Sequence, residues 1–178
     1  MNRDKIALIP AAPQDRIRVY EWLARSDLTS SMVGPPDFPD HPVPSWEEFC
    51  EDYADYFFDG SEPYKGRSFL IEYGDVTAGH INYAYDEKEH VADLDIWLKD
   101  SSYTGKGIGT SSIILLVDYL VNELNIRRFI IRPSARNARA IKAYVKAGFS
   151  KVNIGRDEIA RKFGEGDYDD EVILIKEV

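Results

Sequence analysis

The feature that most constrains this chain is the glycine-rich segment Gly105-Lys106-Gly107-Ile108-Gly109-Thr110, where the hydrophobic period changes from that of a strand to that of a helix. Before it, Val91 to Leu98 alternates strictly, with Ala92, Leu94, Ile96 and Leu98 on one face and Asp93, Asp95 and Trp97 on the other. After it, Ile113, Ile114, Leu116, Val117, Leu120, Val121 and Leu124 form one apolar helical face. A strand must therefore turn directly into a long helix, and glycines at the turn let a ligand approach the backbone closely. The first N–H groups of such a helix are unpaired donors carrying partial positive charge, so the segment has the makings of a pyrophosphate cradle. It is neither a Walker A loop, which needs Gly-Lys-Ser/Thr after four spacer residues, nor the G-x-G-x-x-G dinucleotide fingerprint.

Strand and helix signals alternate over the rest of the chain, which predicts an α/β protein with a mixed sheet. Ile6 to Ile9 reads as a first strand, and Pro13 opens a helix whose stripe is Val19, Trp22 and Leu23. Met32 to Pro44 holds prolines at 35, 36, 39, 42 and 44 and reads as a restricted loop. Ser45-Trp46-Glu47-Glu48 is a capping box, and Phe49, Tyr53, Tyr56 and Phe57 continue from it as one helix. Arg67 to Tyr73 and Val76 to Tyr85, joined by Gly74-Asp75, form a hairpin with a mirror-image turn. Arg128 to Arg132 is a short strand, Asn137 to Ala147 a helix stopped by Gly148, and Phe149 to Ile154 and Glu171 to Lys176 the last strands around a loop at 155–170.

Composition narrows the function classes. The 178 residues fit one domain, 1–178, with 31 acidic against 22 basic residues and a net charge of −9. That balance argues against a nucleic-acid partner and is compatible with a cationic substrate. A single cysteine, Cys50, excludes an intrachain disulfide and a thiolate metal cluster, and no metal is expected. Ile113 to Val121 is interrupted by Asp118 and falls short of the ~20 residues of a membrane span. With no signal-peptide pattern after Met1, a cytoplasmic protein without a membrane partner is expected. Whether it is a monomer or a homodimer stays open.

One strand beyond the glycine segment's helix lies Asn137-Ala138-Arg139-Ala140-Ile141-Lys142-Ala143-Tyr144-Val145-Lys146-Ala147-Gly148-Phe149. Together the two segments resemble the acetyl-CoA-binding core of the GNAT N-acetyltransferase superfamily, over about residues 67–154. Within it, Tyr20-Glu21-Trp22-Leu23 and an Asp-containing strand ten residues before Gly105 resemble the aminoglycoside 6′-N-acetyltransferase branch. The resemblance implies a splayed mixed sheet, acetyl-CoA as co-substrate, and a primary amine, such as that of an aminoglycoside or another small polycation, as acceptor. It implies Asp95 as the catalytic carboxylate and Tyr144 as the acid for the leaving thiolate. It also implies a cofactor site made of Trp97, Leu98, Thr104, Gly105, Lys106, Gly107, Ile108, Gly109, Thr110 and Asn137.

This chain departs from the pattern at Thr104, where the superfamily often has Arg or Gln, and at Arg132, where the branch carries an acidic residue before Pro133-Ser134. The acceptor is therefore open between an aminoglycoside and a protein N-terminus, a lysine or a polyamine. A catalytically silent acyl-CoA-binding module is a further alternative.

Read from the residues alone, Asp95 is well placed to take a proton from an ammonium group. Asp93 shares its face, and each anion would raise the other's pKa. Trp22 and Tyr53, with Trp46, Tyr56 and Phe57 and the acids Glu48, Asp52 and Asp55, form either one wall of a substrate cleft or an amphipathic helix with a solvated acidic face. Tyr144 is either the acid or a core residue. His80 is expected to be a hydrogen-bonded structural residue, with His41 and His90 in loops and Cys50 a small buried packing residue.

Overall fold

The computed structural model describes residues 5–32, 43–164, 168 and 170–178. Most of the proline-rich segment and His41 lie outside them. Strand β1 (Ile6–Pro10) leads through a single 3-10 turn at Pro13–Asp15 into α1 (Arg16–Arg25), followed by the short α2 (Thr29–Met32). The capping box forms as expected before α3 (Trp46–Asp52): Glu48 N–H donates to Ser45 Oγ and Ser45 N–H to Glu48 Oε2.

The expected single helix from Ser45 to Phe57 is instead two, α3 and α4 (Tyr56–Asp59), with a corner between them. Tyr53 N–H still closes the last turn onto the Phe49 carbonyl, but its ψ of 71° leaves the helix. The Arg16 guanidinium takes the Cys50 and Tyr53 carbonyls, satisfying groups that a continuing helix would have used.

The hairpin is β2 (Gly66–Tyr73) and β3 (Val76–Asp86), with Gly74 at φ 62° as the mirror-image turn requires. Strand β4 (Val91–Leu98) pairs with β3, and α5 (Ile108–Leu124), β5 (Arg128–Ile131) and α6 (Ala138–Lys146) follow. β6 (Ser150–Lys151) is much shorter than the expected strand, and β7 (Leu174–Glu177) ends the order. Where a loop was expected at 155–170, Arg156–Phe163 forms α7. It is capped by Gly155, with Asp157 and Glu158 in its first turn and Arg161 and Lys162 in its last, the charge order that suits a helix dipole.

Among the described residues the strands form one mixed sheet in the order β1-β2-β3-β4-β5-β7-β6, antiparallel except between β4 and β5. One face, through Phe69, Ile71, Ile81 and Leu94, packs on Ile113, Leu116 and Leu120 of α5 and Tyr144 of α6. The opposite face, through Leu70 and Trp97, packs on Val19 and Trp22 of α1, Phe49 of α3 and Phe57 and Phe58 of α4. The alternation read in Val91 to Leu98 sends these two sets to opposite sides. No helix among the described residues is long and apolar enough to cross a membrane.

Candidate active site

The site begins where the sheet comes apart. β4 and β5 pair only at Ala92 with Phe129 and Asp93 with Ile130, yet β4 runs on to Leu98. Lys99 N–H still bonds the Ala78 carbonyl on the β3 side. By strand alternation Ile96 and Leu98 then direct their N–H groups to the other side, into the opening left by β5. Consistent with this, Ile96 N–H donates not to a strand but to the Asp95 carboxylate, at 2.8 Å.

At the end of β4, Asp100 Oδ1 accepts from Ser102 N–H, and Gly105 and Gly107 turn the chain through positive φ of 72° and 81°. Gly107 is the N-cap of α5, whose first turn contains no acidic residue, so its N–H groups keep their partial charge unopposed there. The roles of Gly107 and Gly109 differ. Gly107 needs its conformation for the turn, whereas Gly109 is helical, and a Cβ there would meet only Ile96 Cδ1 at 3.9 Å. Nothing in the protein's own packing requires glycine at 109, so the space in front of it is free for a ligand.

Among the other expected cofactor contacts, Ile108 is buried in the core, Thr104 Oγ1 donates to the Ser101 carbonyl, and Thr110 Oγ1 donates to Ala143, tying α5 to α6. Lys106 is exposed, with Nζ 5.7 Å from the Tyr103 ring centre. The Trp97 indole is buried and donates to the Val19 carbonyl, so its side chain belongs to the core against α1, and it is the Leu98 N–H that points into the opening. Asn137 caps α6, its Oδ1 accepting from Ala140 N–H while Nδ2 donates to Ser31 O at 3.5 Å.

Asp95 is exposed beside the opening. Its Oδ2 accepts a 3.0 Å hydrogen bond from the Tyr53 hydroxyl, which comes from the α3–α4 corner. Tyr144 is buried, and burial, aided by the negative charge of Asp95, pushes its phenol well above the ordinary tyrosine range. That phenol therefore stays protonated at every working pH.

Four expectations change. Asp93 does not face Asp95 as a bare like charge: its Oδ2 meets the Arg132 guanidinium at 2.6 Å, which offsets the repulsion. The two border a groove of about 790 Å³ with Tyr85, Asp86, Lys88 and Ile130, whose lining does not include Asp95. His80 is fully buried, and among the described residues neither ring nitrogen has a hydrogen-bond partner; desolvation lowers its pKa to about 3. It is thus a neutral ring against Trp97, unable to serve as a base near neutrality. Trp22 is buried in the aromatic cluster under the Arg18 guanidinium, so its ring serves the core rather than a cleft wall. Cys50 is only partly buried.

Sequence reading missed the bond from Tyr53 to Asp95 and the part played by Arg16; no local pattern links either pair of positions.

The GNAT acetyltransferase domain family matches residues 5–150 of this chain. The chain belongs to that family. Aminoglycoside N(6')-acetyltransferase type 1 of Klebsiella pneumoniae is 27% identical over 158 residues, covering 84% of this chain and 76% of that protein. Among solved structures, AAC(6')-Ib in complex with ribostamycin and coenzyme A superposes with a TM-score of 0.74 at 21% identity, over 98% of this chain and 94% of that one. Spermidine N-acetyltransferase from Vibrio cholerae, in complex with CoA and spermine, superposes with a TM-score of 0.70 at 18% identity, over 97% and 95%. The splayed mixed sheet of this chain is the GNAT fold these structures share.

Proposed function

We propose that this GNAT domain, spanning 1–178, transfers the acetyl group of acetyl-CoA directly to a primary amine, with Asp95 as base and Tyr144 as acid. The observation that carries the reading is that an exposed carboxylate and a buried, still-protonated phenol, from β4 and α6, come within electrostatic reach of each other at the place where β4 and β5 part. Acetyl-CoA or coenzyme A is bound in structures similar to this one, which supports the co-substrate.

Backbone N–H groups from Gly105 to Thr110, with the N-terminal dipole of α5, would hold the pyrophosphate, and Asn137 would border the pantetheine arm. The Leu98 N–H, aimed into the opening, would polarise the thioester carbonyl. Asp95 removes a proton from the acceptor ammonium, and the freed amine forms a C–N bond at the thioester carbon. As the C–S bond breaks, the thiolate takes the Tyr144 hydroxyl proton, and the second proton of the acetylated nitrogen returns to the Tyr144 oxygen, leaving the amide, the CoA thiol and one proton on Asp95. No step needs a redox partner.

For the acceptor, the similarity to aminoglycoside 6′-N-acetyltransferases supports an aminoglycoside, with antibiotic resistance as the biological role. One observation favours a second reading, an amine of lower charge such as a protein N-terminus or a lysine: two residues before Asp95 on the same strand, Asp93 is already paired with Arg132. Isothermal titration with acetyl-CoA, followed by thiol release with kanamycin, spermine and an unblocked peptide, tests both. No acetyl-CoA binding at millimolar concentration overturns the function, and binding without thiol release for any amine points to a silent acyl-CoA-binding module. The Asp95→Asn variant should lose about 10²- to 10⁴-fold in kcat with acetyl-CoA affinity unchanged. A parental kcat would remove Asp95 from its role.

A further inference from the structure

An exposed aspartate ordinarily samples several staggered rotamers, and only some aim its oxygens at a substrate. Asp95 is held instead at both oxygens, by Ile96 N–H on Oδ1 and by the Tyr53 hydroxyl on Oδ2. Tyr53 in turn has little freedom. Its ring stacks on Phe49 with centroids 4.7 Å apart, tilts against Phe57 at 5.5 Å, and meets Trp97 edge-on at 5.7 Å, so α3, α4 and β4 all fix it.

The backbone beneath that ring is irregular, and one side chain stabilises it. Arg16, only 16% exposed, donates to the Cys50 carbonyl at 2.8 Å and to the Tyr53 carbonyl, and pairs with Asp55 at 2.5 Å. A rigid guanidinium fork can serve two carbonyls and a carboxylate at once; an ammonium group cannot do so from one position. Arg16 thus anchors the α3–α4 corner from α1.

We infer that Tyr53 is a positioning residue for the general base, holding the Asp95 carboxylate in its reactive orientation, and that Arg16 acts through Tyr53 by fixing the corner that presents it. This rests on the reading of Asp95 as the base. The hydrogen bond favours the ionised carboxylate, so its loss moves the Asp95 pKa upward. Among the described residues, the titratable groups facing Asp95 include Tyr144 from α6, which stays protonated, His80 from β3, which stays neutral, and Asp93 on the same strand, which is paired with Arg132. None of them is removed by the substitutions below.

The test uses Tyr53→Phe, which deletes the hydroxyl and keeps the ring. Carboxyl carbon NMR should show Asp95 titrating about half to one pH unit higher than in the parent. With kanamycin, spermine or the unblocked peptide as acceptor, whichever is turned over, the acidic limb of kcat/KM should move with it, and kcat should fall about tenfold at the optimum. In an Asp95→Asn background the same substitution should change kcat no further, because its effect passes through Asp95. Arg16→Lys, which retains the charge but not the fork, should reproduce the titration shift, with acetyl-CoA affinity intact in both variants. An unmoved Asp95 titration in Tyr53→Phe, or additive losses in the double variant, would overturn the inference while leaving the base intact. A parental kcat in Asp95→Asn would instead overturn the base assignment, and the NMR titration would still report whether Tyr53 holds the carboxylate.

Discussion

His80 offers a measurement in which stability and mechanism are tested together. In the folded protein it is fully buried, with no partner for either ring nitrogen among the described residues, and its pKa is lowered from 6.5 to about 3. The sign follows directly. Below about pH 6.5 the unfolded chain binds a proton at this imidazole that the folded chain refuses, so stability falls as pH drops through 6.5 and continues to fall toward 3. Between pH 7 and pH 5, linkage gives a loss of about 2 kcal/mol from His80 alone. That figure is insensitive to a one-unit change in the folded pKa, because the folded imidazole is still almost wholly neutral at pH 5. With a urea m-value of about 2 kcal/mol per molar, the midpoint should drop by roughly 1 M more in the parent than in His80→Leu. The substitution also removes two unpartnered buried polar atoms at the cost of a changed shape, so at pH 7 the variant should be close to the parent in stability. Its kcat should remain within a few-fold of parental, since a neutral buried ring takes no proton from the amine. Parallel loss of stability in the two proteins between pH 7 and 5 would show that His80 is solvated or paired, and a His80→Leu enzyme crippled in kcat would return it to the list of bases.

Two further outcomes follow from the site. Gly109→Val should fold normally, because a Cβ has room there and the φ is helical, yet weaken acetyl-CoA binding at least tenfold by isothermal titration; parental affinity would refute the cradle. Gly107, at φ 81°, cannot serve for this experiment, since any side chain there strains the turn itself. Tyr144→Phe keeps the buried ring and removes the proton donor, so single-turnover and steady-state rates should fall about tenfold, less than for Asp95→Asn, with acetyl-CoA affinity unchanged. An unchanged rate would assign thiolate protonation to solvent.

What the amino-acid order determined by itself is local. The strict alternation of Val91 to Leu98, the glycine turn and the helical face from Ile113 to Leu124 lie next to one another, so strand, cradle and helix could be read without knowing the fold. The same holds for the Gly74 hairpin turn, the Ser45 capping box and the Gly148 stop at φ 93°. Where a local signal was diluted, the reading failed: α7 buries Ile159 with few other apolar residues, and its Gly- and Asp-rich surroundings outweighed its end charges. The corner after α3 escaped notice because its cause, Arg16, sits in another helix. The tertiary structure alone decided who meets whom. Tyr53 reaches Asp95 across 42 positions and Arg132 reaches Asp93 across 39. Side-chain hydrogen bonds of that kind leave no periodicity in the chain, because they depend on where separately encoded elements dock. His80 shows the same limit from the other side. Its place on a strand face was legible, but whether that face found water, a partner or only aromatic rings was settled by the helices that closed over it.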